Sequence, residues 1–177
     1  MTTAHADSWP RAFRWLITLS FVGTLVLMGA ATYSVALQGW MSCGGDFPKC
    51  AGYWAPVLHS SSTLPGPYSP AQIIAEWFHR ATAFVTGVLM LVATGVAWRR
   101  LEGYQLSRSA LTVATALLPV EAWLGVLTGV PDPAFASVAL HTVISLAVVA
   151  LLGLVTAVVW WPIVTDRGGG ESAGHSA

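Results

Sequence analysis

The chain has 177 residues, of which 55% are hydrophobic and only 9% charged. Soluble domains carry roughly a quarter charged residues, so this composition excludes an ordinary water-soluble globular protein. Eight basic and eight acidic residues cancel, which excludes the cationic footprint of a nucleic-acid binder.

In chain order, residues 1–14 read as a short polar lead. The stretch from Trp15 to Gly45 holds no charged residue. A span needs roughly 20 apolar residues to cross the ~30 Å hydrocarbon layer, so the pattern predicts a first transmembrane helix at about 15–37. Its apolar run is too long for a signal peptide, and no small-residue cleavage site closes it. Residues 38–73 form one long loop, rich in Gly, Pro, Ser and Trp, expected to be ordered by turns rather than by a core. A second helix is predicted at about 74–98. A short basic connection with Arg99, Arg100 and Arg108 leads to a third at about 110–130, whose one charge is Glu121. PDPAF is a tight turn, since Pro131 and Pro133 both break a helix. A fourth helix is predicted at about 134–161, and the tail 162–177 reads as disordered.

Arg11 and Arg14 precede the first helix and Arg167 follows the fourth. Apart from Arg80 at a helix mouth, the opposite loops hold only Lys49. The positive-inside rule then predicts both termini in the cytoplasm and the 38–73 loop on the outer face of the cell membrane. Short connections predict an all-α, up-down-up-down bundle of four transmembrane helices spanning 15–161, multi-pass in the lipid bilayer.

Against this apolar background, EWFHR at 76–80 stands out. His79 and His141 are the two histidines within membrane segments, on helices expected to be parallel. Counted along the helices, both fall roughly 8–10 Å below the outer end. Two imidazoles at one level can clamp a haem iron from both faces. The bland alternative is two unrelated polar residues bonded to their neighbours, but ionisable residues inside a membrane are usually functional. Small residues one turn away, at Ala83, Thr86, Gly87 and Ser145, with Met90 and Val148 beyond, leave room for a macrocycle; taken alone they read better as helix packing. Glu76 shares a face with His79 and is a candidate for proton chemistry, for orienting the imidazole, or for stabilising a helix N-terminus. Arg80 is a candidate for a haem propionate or for snorkelling to headgroups. Glu121, two residues after Pro119, is a candidate proton relay or a partner for backbone loosened by that proline.

Cys43 and Cys50 are the only cysteines, in CGGDFPKC. On an outer face such a pair reads as a structural staple or as a redox-active pair. There is no CxxCH for covalent haem attachment and no HExxH.

Taken together, CGGDFPKC, AEWFHRATA, EAWLGVLTGV and ALHTVISLAVVALL resemble the haem A synthase family of cytochrome oxidase assembly proteins, over about residues 15–160. The resemblance implies a haem-binding bundle with His79 and His141 as axial ligands of the iron. It also implies chemistry at Glu76 and a functional disulfide between Cys43 and Cys50. The family's reaction converts the C8 methyl of haem O to the formyl of haem A, needs electrons and an oxidant, and involves haem B as cofactor. Family members usually have eight helices in two similar halves, so the resemblance implies a homodimer of this half-size chain, with haem O synthase and an electron donor as further partners. Two further departures are Glu121, where the family commonly has glutamine, and YSVALQGW at the end of the first helix. The competing reading is a bis-histidine membrane cytochrome of the b kind, carrying haem or electrons without synthase activity. A quinone-linked thiol oxidoreductase ranks below both, because it usually needs more than one cysteine pair.

Overall fold

The computed structural model of the chain describes residues 10–45, 47–60, 63–64, 66–100 and 104–170, the segment 162–170 as backbone only. Expectations for residues 1–9 and 171–177 lie outside the described residues. Four helices carry the chain: α1 (Arg11–Ala36), α2 (Pro70–Arg100), α3 (Gln105–Thr128) and α4 (Phe135–Gly170). Each is long and apolar enough to cross a membrane. α1 and α3 each pack on both α2 and α4. Sequence neighbours are thus spatial neighbours, as in an up-and-down bundle, and α2 faces α4 across a diagonal. We call the end bearing residues 37–69 the loop end, and the other the terminal end.

The helices outrun the apolar stretches that predict them. α1, α2 and α3 start at 11, 70 and 105, and α4 runs on to 170. Hydropathy marks only the part that must sit in hydrocarbon, whereas a helix continues until a cap or breaker stops it. At α2 the stop is a capping box, Ser69-Pro70-Ala71-Gln72. Gln72 Oε1 accepts from the Ser69 backbone N–H at 2.8 Å, and the Gln72 N–H points back at Ser69 Oγ at 3.4 Å. Pro70 suits the first helical position, where its missing N–H costs nothing.

α1 ends in a Schellman motif. The Gly39 N–H donates to the Ser34 carbonyl at 2.8 Å and the Gln38 N–H to that of Val35 at 2.9 Å. Gln38 takes the left-handed conformation at φ 55°. Gly39 is required by packing: a Cβ there would stand 2.8 Å from the Gln72 carbonyl oxygen. Gln72 Nε2 completes the junction by donating to the Leu37 carbonyl at 3.0 Å. The loop was expected to lack a core, yet it has a small one. Cys43, Cys50 and Ile73 are buried together, with Leu64, Tyr68 and Trp77 packed against them. The apolar face of the first turn of α2, beyond the expected helix start, is what the loop closes on.

Packing differs between the two ends of the bundle. Phe13, Ile17, Met90, Ala93, Ala97, Leu111, Ala114, Leu152, Val155 and Val159 form one continuous core in the terminal half. Around its rim Arg14 lies over the Trp160 ring and Arg108 over Trp98, 5.8 and 4.1 Å from the centroids. Indole N–H groups there donate to Thr18 and Thr112. In the loop half α1 and α2 stay packed, with Ala30, Ser34, Ala75 and Glu76 buried, whereas α3 and α4 bury little. The first buried residue of α4 is Val148, and between Ala114 and Leu124 α3 buries none.

Candidate functional site

The looser loop half of the bundle is where the ionisable residues gather. α2 supplies Glu76, His79 and Arg80; α3 supplies Glu121; α4 supplies His141 and Ser145. Because α2 begins four residues earlier than hydropathy suggested, His79 lies about two and a half turns into its helix and His141 under two turns into α4. The helix starts are therefore not level, and His79 and His141 lie on the two helices that face each other across the diagonal.

Glu76 is held at both oxygens. Ser34 of α1 donates its hydroxyl to Oε2 at 2.8 Å, and Arg80, one turn on, donates Nε–H to Oε1 at 2.9 Å. The carboxylate is buried at 6% exposure, so the pair sits where solvent screens it little. Arg80 also donates from one terminal nitrogen to the Gly44 carbonyl at 2.7 Å. This ties α2 to the loop next to Cys43, whose Sγ stands at bonding distance from that of Cys50, with the Cα atoms 4.3 Å apart. Arg80 is thus engaged with Glu76 and the loop, and its other terminal nitrogen, Nη1, is buried with no hydrogen-bond partner.

His79 reaches toward the backbone of Leu27 in α1, yet its buried Nδ1 lacks a well-formed hydrogen bond. His141 Nδ1 lies 3.3 Å from Glu121 Oε2, close but not aligned for one. Ser145, one turn along α4, donates its hydroxyl to the same Oε2 at 2.7 Å. Glu121 Oε1 is buried and unpartnered. Buried polar atoms are nearly always bonded; of the seven unpartnered ones among the described residues, four, on His79, Arg80, Glu121 and His141, fall in this half, the others being on Arg14, Trp40 and Arg108. Two imidazoles from facing helices could hold a haem iron, and an unpartnered guanidinium N–H could meet a carboxylate on the same ligand.

Of the small residues beside the histidines, several serve packing. Thr86 is buried against α1, where a Cβ on Gly23 would come within 2.7 Å of its hydroxyl. Met90 and Val148 belong to the terminal core. Ala83 stays half-buried in the loop half, as does Ser145. Ser34 is the partner that sequence reasoning passed over. A serine in an apolar helix is commonplace, and only its placement opposite Glu76 distinguishes it.

A bundle of four helices long and apolar enough to cross a membrane, with ionisable residues gathered in one half, defines a multi-pass membrane protein. The sequence matches the family model of the cytochrome oxidase assembly proteins over residues 4–155, and the chain belongs to that family. Among its relatives is a chain of Halobacterium salinarum named protoheme IX farnesyltransferase, 30% identical over 78% of this chain and 28% of its own length. Others are the heme A synthases of Geobacillus kaustophilus and Bacillus pumilus. They are 26% and 29% identical over 81% and 78% of this chain, and 43% and 42% of theirs. The chain spans less than half the length of these relatives. No solved structure matches it.

Proposed function

We propose that this chain is a haem A synthase-like membrane oxidoreductase that oxidises the C8 methyl of haem O to a formyl group by successive hydroxylations. The observation that carries the reading is the pair of imidazoles on the facing helices α2 and α4, beside a carboxylate held at both oxygens. His79 and His141 would hold the iron of a haem, with haem B as resident cofactor and haem O as substrate, and Arg80 Nη1 would pair with a propionate. Bound haem supplies the redox chemistry; electrons and the oxidant come from outside the chain. Glu76 is the residue placed to take up or release a proton. Cys43 and Cys50 form a functional disulfide on the outer face, both termini are cytoplasmic, and Glu121 is a further acceptor for protons. The chain acts as a homodimer in this reading, a second copy supplying four further helices. The Halobacterium relative, named for farnesyl transfer to protohaem IX, supports a haem O synthase as neighbour.

A second reading is a bis-histidine cytochrome that carries haem or electrons without modifying the ring. One observation favours it: Ser34 and Arg80 already occupy both oxygens of Glu76, as they would if the carboxylate served structure alone. Co-expression with a source of haem O, followed by haem extraction and chromatography, separates the two. Haem A or its hydroxylated precursor in the wild type, lost in Glu76→Ala, supports the synthase. Unmodified haem in both, lost only in His79→Ala, supports the carrier. A wild type that takes up no haem sinks both.

A further inference from the structure

The two histidines have different surroundings. Beside His79 the carboxylate is Glu76, and its charge is already matched by Arg80 at 2.9 Å. Beside His141 the carboxylate is Glu121, brought from another helix, and the ionisable group standing against it is His141 itself at 3.3 Å. Ser145 donates to the same oxygen of Glu121 from one turn along α4. That bond steers the carboxylate toward the histidine's own helix. The interior of α3 carries Pro119 two residues earlier, so the turn that bears Glu121 lacks one backbone N–H donor.

We infer that Glu121 is a positioning residue for His141, and that it makes the two proposed axial ligands unequal. This rests on the haem reading above. The carboxylate approaches Nδ1 at 3.3 Å without closing a hydrogen bond, which would leave Nε2 to ligate the iron. A histidine whose second nitrogen faces a carboxylate is fixed in tautomer and ring orientation and becomes a stronger donor to a metal. Ser145 holds the carboxylate in place, so Glu121 acts through His141 and not on a substrate. His79, whose neighbouring carboxylate is drawn off by Arg80 and Ser34, is the weaker ligand and the one released first.

The test uses the full-length chain purified in detergent and loaded with haem B, read by absorption, electron paramagnetic resonance and redox titration rather than by turnover. The variants are Glu121→Gln, Glu121→Leu and Ser145→Ala. The wild type is expected to give a six-coordinate low-spin ferric haem. Glu121→Leu is expected to add a high-spin signal and to lose haem about 10-fold faster or more, the usual scale for removing an outer partner of a ligating histidine. Glu121→Gln should stay low-spin, with changed g-values and a raised midpoint potential, because an acceptor remains while the charge is gone. Ser145→Ala should move in the same direction by less. Low-spin wild-type haem with wild-type g-values and potential in both Glu121 variants would overturn this inference and leave the haem reading standing. If Glu121→Leu fails to accumulate, an unchanged potential in Glu121→Gln overturns it alone. A wild type that binds no haem overturns both.

Discussion

Arg80 makes two directed bonds from one guanidinium, Nε–H to Glu76 and a terminal N–H to Gly44. An ammonium on a flexible stem cannot reproduce that fork. Arg80→Lys is therefore expected to keep a positive charge near Glu76 but release the loop, with faster backbone hydrogen exchange around Gly44 and little change in the terminal half of the bundle. Uniform exchange across both regions would argue against the tether. At this scale the sequence was informative where chemistry is rare. Glu76, His79, Arg80, Glu121 and His141 are conspicuous because charge in an apolar run is costly. Their pairing was not legible: the spacing puts Glu76 beside both His79 and Arg80, and only the folded helix decides that its oxygens go to Arg80 and Ser34. The partnership of Glu121 with His141 crosses between two helices and leaves no trace in local pattern.

The helices owe their ends to short polar signals. Ser69 and Gln72 satisfy each other's backbone groups, and Gln72 also reaches across to the end of α1. Gln72→Ala is expected to cost about 1–2 kcal/mol, the scale of a lost cap plus a bond between elements. It should also fray the first turn of α2, seen as a lower melting temperature and raised exchange at residues 70–73. A loss confined to α2 with no effect on the 37–39 turn would show that the inter-helix bond is weak. Ser-Pro-x-Gln is readable as a helix start in the sequence itself, and hydropathy overlooks it because those residues are not apolar. The loop core was harder to foresee. Cys43, Cys50 and Ile73 come together from 30 residues of chain, through turns whose geometry depends on that contact.

Across the whole molecule, all four helices pack together in the terminal half, whereas burial in the loop half falls mainly on α1 and α2. Leu152 is fully buried in the terminal core, whereas Val143 on the same helix is 61% exposed. In lipid, helix association depends on close packing more than on transfer from water. Leu152→Ala is thus expected to cost about 2 kcal/mol, the low end for a buried leucine, and Val143→Ala close to nothing. Thermal unfolding of the two variants in the same detergent checks this, and equal losses would mean that the loop half is packed by a partner. The sequence by itself determined that the chain lives in a bilayer, that it crosses four times, and which side chains carry charge into the apolar layer. These follow from the cost of polar groups in hydrocarbon, which acts residue by residue along the chain. Only the tertiary structure decided which helices face across the diagonal, which carboxylate stands beside which histidine, and that the four-helix core lies in the terminal half. Those outcomes depend on interlocking shapes and on hydrogen bonds between helices, and neither is recorded in any single segment.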